Sequence, residues 1–430
     1  MKTPPIAIIG AGPSGLSIAR ALTKAQLSFV IYEKHSNTGG LWDIKNEGSP
    51  MYESAHFISS KTLSGFPDFP MPDDYPDYPT RKQLCAYIQA FAKHFDLEKN
   101  IIFNTKIEKV EKHENGWKII TAQGDSYFHQ ELICANGTLW QPNIAQYPGT
   151  FSGIIRHSNT FKKSSEFLNK RILVVGGGNS GVDIACEAAS FADEAYLSMR
   201  RGYYFIPKHV FGVPSDVFSH GGPKLPLKVN QWIFKKLLKI VVGDQTKFGL
   251  PKPDHELFES HPLMNSQIMH HTSHGNLSIK PNIDYFEGNK VFFKDGSSIE
   301  VDEIVLATGY NYAIPFAEEF FDWKDHRPQL YMNLFNPKHD NIYVMGFVET
   351  NSAAYDIFTQ LATLLANHLK DKKESPEKAK VFRNKVTSET LDLTGGIKLV
   401  ASERHTSYVD SDTIKAKLRQ MKKQMGWSNL

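Results

Sequence analysis

Ile6-Ala7-Ile8-Ile9-Gly10-Ala11-Gly12-Pro13-Ser14-Gly15 decides how the whole chain is read, because an apolar run turns through spaced glycines into a helix-period segment. The pattern returns as Ile172-Leu173-Val174-Val175-Gly176-Gly177-Gly178-Asn179-Ser180-Gly181. In such a turn the glycines let the backbone approach a pyrophosphate, and the following helix aims its free N–H groups at the negative charge. Two copies in this context predict an α/β chain with two Rossmann-like dinucleotide-binding domains, and two dinucleotides on one chain imply electron transfer. The cradle candidates are Gly10, Gly12, Pro13, Ser14 and Gly15 in the first turn, and Gly176, Gly178, Asn179, Ser180 and Gly181 in the second.

The copies differ where their cofactors should differ. Each continues into a second strand, Ser28 to Tyr32 and Glu194 to Ser198, and Glu33 and Met199 stand at the same offset from their first glycines. Glu33 can accept hydrogen bonds from ribose hydroxyls, as an FAD or NAD site requires. The second unit has no carboxylate there, but Arg200 and Arg201 follow at once, and a guanidinium fork matches a 2′-phosphate. These positions predict FAD in the first unit and NADPH in the second; a solvated strand end is the plainer reading of the arginine pair.

Composition narrows the partners. The 430 residues are 41% hydrophobic and 12% aromatic, enough for two or three folded domains. A net charge of +3 gives no field that points to nucleic acid, so the partner is expected to be a small molecule. The three cysteines, Cys85, Cys134 and Cys186, have no C-x-x-C spacing, which argues against a disulfide framework, a zinc site or a dithiol reductase. A reducing, cytoplasmic setting fits them. The first strand begins by Ile6, leaving no room for a signal peptide, and no apolar run is long enough to span a bilayer. His270, His271 and His274 lack the carboxylate or cysteine partners of a metal site. Trp232 to Val242 has the pattern of an amphipathic helix, expected to pack over the active site or against a second subunit rather than on a membrane. Lys370 to Lys385 and Thr413 to Met425 read as solvated helical surface.

Along the chain, Gly39-Gly40-Leu41-Trp42 precedes a Pro- and Asp-rich loop from Phe66 to Pro79, and Thr80 is a candidate N-cap for a helix with Leu84, Ile88, Phe91 and Phe95 on its apolar face. Asn115-Gly116 marks a hairpin between 107–112 and 117–121. Strands ending at Asn136-Gly137 and Thr308-Gly309 close two copies of one plan. The NADPH domain is therefore expected to be inserted in the FAD domain, with residues 1–160 and 281–430 forming the FAD unit and 161–280 the NADPH unit. An insert at about 203–274 has no legible fold.

Between the halves, Phe151-Ser152-Gly153-Ile154-Ile155-Arg156-His157-Ser158-Asn159-Thr160-Phe161 matches F-x-G-x-x-x-H-x-x-x-F at every fixed position. With Gly39-Gly40-Leu41-Trp42, Phe66-Pro67-Asp68-Phe69-Pro70 and Ala307-Thr308-Gly309-Tyr310, the chain resembles the flavin-containing monooxygenases from about Ile6 to about Leu369. Baeyer–Villiger monooxygenases, close relatives, usually end that linker in tryptophan where Phe161 stands.

The resemblance implies that NADPH passes hydride to FAD, that the reduced flavin adds O2 at its C4a carbon, and that the hydroperoxide oxygenates a soft nucleophile such as an amine or sulfide. It adds Gly40, Leu41, Trp42, Thr308, Gly309 and Gln360 to the cofactor-binding candidates. One departure stands out. The family's Asn-x-Ser-Lys run appears here as Ile58-Ser59-Ser60-Lys61, so an isoleucine replaces the asparagine thought to help hold the oxygen intermediate, leaving Ser59 or Ser60 as substitutes. His157 is a candidate acid–base group, with orientation of the linker the favoured role. Trp42, Tyr52, Trp140 and Tyr310 are pocket or core residues with equal claim. Ketone oxygenation, an uncoupled NADPH oxidase releasing H2O2, and a flavin-bearing redox sensor are the rival functions. A homodimer is the expected assembly.

Overall fold

The computed structural model describes residues 5–222, 225–261, 263–400 and 408–429. Two five-stranded parallel sheets carry the molecule. The first orders its strands Ile342–Val344, Leu132–Cys134, Ile6–Ile9, Phe29–Tyr32 and Ile101–Ile102. The second orders them Ile154–His157, Glu303–Leu306, Arg171–Val175, Glu194–Ser198 and Ser278–Lys280. In both, the strand that feeds the glycine turn is central, and the chain returns on its other side only after a small antiparallel meander. That reversal creates a crevice at the strand ends, where such folds bind ligands.

The second sheet corrects the expected boundaries at 160 and 280. Ile154–His157 and Glu303–Leu306 lie outside 161–280, yet both pair into this sheet, Ile154 opposite Glu303 and Val175 opposite Leu306. The meander Ile283–Gly288, Lys290–Phe293, Ser298–Glu300 belongs with them and recruits Gly149–Phe151 as a parallel edge strand. Turn and glycine signals locate the elements, but backbone pairing decides which sheet owns them. The outgoing and returning segments are themselves paired, Gln141–Pro142 against Tyr310–Asn311.

Local chemistry sets the elements much as expected. Thr80 caps helix Arg81–His94 with a capping box, its hydroxyl accepting from Gln83 N while the Gln83 side chain accepts from Thr80 N. Leu84, Ile88 and Phe91 are fully buried on its inner face. Helix Pro13–Lys24 packs against the long helix Ala354–Glu374, which buries Leu361, Leu364 and Leu365 in the same core.

The C-terminal pattern is not the solvated surface expected of it. Helix Ser411–Met425 buries Ile414, Leu418, Met421 and Met425 in the main core, each such side chain worth about 1.5–3 kcal/mol. Trp427 Nε1 locks the following residues by donating to Asp371 Oδ2 at 2.5 Å. Its lysines sit at other positions of the same helix, so charge content masked an apolar stripe of helical period. Helix Pro376–Ser388 likewise hides Ala379, Phe382 and Val386 behind its exposed lysines.

Candidate functional site

The two turns use one backbone solution. Gly10 has φ +109°, and a Cβ there would lie 2.5 Å from Ala135 O; Gly176 has φ +120°, with Ala307 O at 2.4 Å. A Cβ on Gly15 would stand 2.0 Å from Gly10 O, and on Gly181 1.9 Å from Gly176 O. These four glycines draw strand, turn and helix together. The middle glycines do something else. A Cβ on Gly12 would meet nothing nearer than Gly40 Cα at 3.6 Å, and around Gly178 there is open space to 4 Å. Gly12 and Gly178 are also the N-caps of helices Pro13–Lys24 and Asn179–Phe191, and neither helix has a side-chain cap. Backbone without steric conflict at the middle glycine and uncapped N–H groups at both N-termini fit a pyrophosphate.

Around the first turn, Glu33 is almost fully buried at the end of its strand. Its Oε2 accepts from Ala11 N at 2.6 Å and its Oε1 from His35 N at 2.9 Å, so it braces the turn and retains lone pairs for a ribose. The Gly39-Gly40 turn is tied down by Asn46 Nδ2 donating to Gly40 O and Ser49 Oγ donating to Leu41 O. Trp42 Nε1 donates to Tyr355 Oη at 3.0 Å, and its ring meets Phe57 edge-on. Two buried polar atoms beside this crevice have no hydrogen-bond partner among the described residues, Thr38 Oγ1 and Asn136 Oδ1, as groups awaiting a polar cofactor would. Sequence reasoning missed Gly346, where a Cβ would strike Ser14 at 2.7 Å, and Tyr355, which holds Trp42 from a helix far along the chain. Gln360 sits on that helix with its amide donating to Asp356 Oδ1.

The second crevice is differently lined. Met199, at the position equivalent to Glu33, is buried, while Arg200 is exposed with no ion-pair partner among the described residues. Arg201 is held loosely by Asp254 at 3.7 Å. Ser180 is exposed at the helix start, and Asn179 Oδ1 accepts from Met264 N in the insert.

His157 joins linker to turn. Gly309 O can only accept, so His157 Nε2 at 3.0 Å donates to it, and Nδ1 then accepts from Asn159 N. Burial lowers its pKa and keeps the ring neutral. Thr308 Oγ1 donates to Asn143 O across the paired linkers, and Tyr310 packs edge-on against His157. The ring is therefore placed to orient the linker, with both nitrogens engaged.

Tyr52 reaches across the units, its Oη donating to Asp183 Oδ2 at 3.2 Å, while Asn265 Nδ2 donates to Asp183 Oδ1 at 2.7 Å. Burial raises the Asp183 pKa. No spacing in the sequence signals this trio. Trp140 lies beneath Lys34, whose Nζ is 4.0 Å from the ring centroid.

The Ile58-Ser59-Ser60-Lys61 run borders a cavity of about 150 Å³. Ile58 and Ser59 line one side; Val210, Phe218, Phe234, Leu238 and Met264 of the insert line much of the rest. Ser59 Oγ accepts from Ser64 Oγ, whereas Ser60 is fully buried with no partner for its hydroxyl among the described residues and its N–H donating to Asp216 of the insert at 2.6 Å. The insert thus roofs a pocket whose opposite side is the departing run.

Residues 3–421 match the family model for flavin-binding monooxygenase-like proteins. The chain belongs to that family. It is 30% identical to flavin-containing monooxygenase 5 of Mus musculus over 94% of this chain and 81% of the relative. It is 32% identical to flavin-containing monooxygenase 3 of Homo sapiens, covering 81% and 70% respectively. The solved S-allyl-L-cysteine S-oxygenase of Allium sativum superposes with a TM-score of 0.68 at 20% identity, over 100% of this chain and 90% of that one. The protein is a flavin-dependent monooxygenase with two dinucleotide-binding domains, using FAD, NADPH and O2 on small molecules.

Proposed function

We propose that this monooxygenase oxygenates the nitrogen or sulfur of small, largely apolar soft nucleophiles. The first crevice would hold FAD through the turn at Gly10–Gly15 and Glu33, and the second NADPH through the turn at Gly176–Gly181 with Arg200 and Arg201 on the 2′-phosphate. Reduced FAD supplies the oxygen activation, the hard chemistry that no side chain here performs. The chain's part is to bind, orient and exclude water.

The single observation that carries the reading is the apolar cavity beside Ile58. Oxygen transfer to a sulfide or tertiary amine leaves a product with no net charge, the oxygen's negative charge being balanced on the adjacent sulfur or nitrogen, so largely apolar walls serve it. Attack on a ketone carbonyl develops an oxyanion, which is stabilised by aimed N–H donors. Among the described residues the lining holds no Lys or Arg, His261 Nδ1 lies 3.5 Å from Tyr408 Oη, and the side-chain N–H donor Asn351 directs its Nδ2 to Asp410 Oδ2. A paired assay with an alkyl aryl sulfide and a cyclic ketone tests this; ester from the ketone at the higher rate would overturn it.

Ile58 supports a second reading, partial uncoupling to H2O2. An isoleucine offers no hydrogen bond where relatives are expected to place an asparagine, and Ser60 turns its N–H toward Asp216. Ile58→Asn should lower H2O2 released per NADPH consumed. An unchanged ratio would remove Ile58 from the account of coupling.

A further inference from the structure

We propose that Asp183 is a positioning residue that hangs one wall of the cavity on the helix of the second glycine turn, so that filling the second crevice fixes the shape offered to substrate. The inference rests on the reading that this crevice takes NADPH and that the cavity beside Ile58 takes the substrate. Three segments far apart in sequence meet at one carboxylate. Asp183 stands one turn behind Asn179 on helix Asn179–Phe191, and residues four apart share a helix face. That face holds two consecutive residues of the insert: Met264 N donates to Asn179 Oδ1 at 3.3 Å, and Asn265 Nδ2 donates to Asp183 Oδ1 at 2.7 Å. From the first unit, Tyr52 Oη donates to Asp183 Oδ2 at 3.2 Å, so each carboxylate oxygen serves a different segment. Burial holds the Tyr52 phenol well above its ordinary pKa, which keeps it the donor.

The tie reaches the cavity through the backbone. Met264 lines the cavity itself. Its neighbour Leu263 is buried and accepts at its O from Ile206 N at 2.8 Å, and Ile206 and Pro207 line the cavity too. Asn265 is buried, and its Oδ1 accepts from Ile268 N at 3.0 Å, which seats helix Gln267–Ser273 against Asn179–Phe191. The packing around the seam is apolar, with Val182, Ile184 and Ala185 in one core with Leu263 and Ile268. Cohesion alone therefore needs no carboxylate here; a charge is costly to bury, and its directional bonds fix register rather than add bulk. Asn179 is the link to the nucleotide. It opens the helix whose uncapped N-terminus faces the second crevice, and an anion seated there draws on the same turn that holds Met264. Nucleotide and substrate then favour one arrangement, and linkage makes their coupling reciprocal.

The test is equilibrium binding of an alkyl aryl sulfide to the oxidised, flavin-loaded full chain with and without NADP+, paired with amide hydrogen exchange across 263–268. In the wild type, NADP+ should tighten sulfide binding about fivefold or more and slow exchange at Met264 N and Ile268 N. Asn265→Asp keeps an acceptor for Ile268 N but sets a second carboxylate against Asp183, so it should bind NADP+ and lose that tightening. Asp183→Leu should lose it as well. Asp183→Asn can still accept from Asn265 and can donate to Tyr52 Oη, so it should restore most of it. A merely structural role would lower the melting temperature of these variants and leave the tightening in place, and that result overturns the proposal. Wild-type exchange slowed at 179–183 but not at 263–268 also overturns it, while the NADPH reading stands. Absence of NADP+ binding by the wild-type chain overturns both.

Discussion

The two glycine turns have the same skeleton and opposite surroundings. Gly10 and Gly176 approach Ala135 and Ala307 within a tenth of an ångström of the same distance, and Gly15 and Gly181 press equally on their first glycines. Yet the first turn is closed in, with Gly40 over Gly12, Gly346 against Ser14 and the buried Glu33 carboxylate on Ala11 N. The second is open at Gly178, with Arg200 exposed beside it. The backbone builds the same turn twice, and the shells around the two differ. A closed shell suits a resident flavin; an open one suits a nicotinamide carrier that must come and go with each turnover.

The largest effects should come from the shared skeleton. Gly15→Ala and Gly181→Ala each force a Cβ into a backbone oxygen, costing about 3 kcal/mol. Gly15→Ala should yield colourless, thermally weakened protein. Gly181→Ala should keep its yellow colour and lose NADPH-driven flavin reduction. Colour loss in both, or in neither, would break the division of labour between the turns, and absorbance of the purified variants decides it.

Next come the shells. Arg200→Ala should lower the NADPH-to-NADH preference by about 10- to 100-fold, the worth of one charge-assisted pair to phosphate. Arg201→Ala should do less, because Asp254 already draws on that guanidinium. Steady-state kcat/KM with both nucleotides measures the two. Glu33→Gln keeps an acceptor for Ala11 N and loses the charge, so flavin dissociation should rise about tenfold or more with nucleotide preference unchanged. Equilibrium dialysis of the flavin reads this out.

The smallest effect is acidification. The His157 pKa is depressed by burial, so its neutral ring contributes stability that is present above the ordinary histidine value near 6.5 and is lost as pH falls through the depressed one. Protonation sets a second N–H against Asn159 N, so that bond is lost and Nδ1–H turns to Asn159 Oδ1, shifting the linker turn at 157–159. The KM for NADPH should rise modestly as pH falls through that depressed value, lower than the ordinary histidine value of about 6.5, while flavin stays bound. His157→Gln, measured over the same range, should flatten that rise, and a persistent rise would assign it to another group.

Much of the local structure around the candidate site was legible because its residues are close in sequence. A turn, its strand and its helix lie within one short window, so the glycine turns at Gly10–Gly15 and Gly176–Gly181, the Thr80 cap and the Asn115-Gly116 hairpin could all be placed. What escaped depends on residues far apart. Trp42 finds Tyr355, Gly346 finds Ser14, and Tyr52 finds Asp183 only after the sheets form. The C-terminal helix was misread because lysine content obscured its stripe of Ile414, Leu418 and Met421.

The amino-acid order alone settled that two dinucleotide turns exist and which carries the carboxylate and which the arginines, because glycine spacing and charge act locally. Tertiary structure decided that Ile154–His157 and Glu303–Leu306 belong to the second sheet, that Ile58 lines a largely apolar cavity, and that Trp232 and Ile240 on one side of Leu227–Val241 are left exposed. Pairing, enclosure and exposure are relations between distant segments, and only a closed core of both units fixes them.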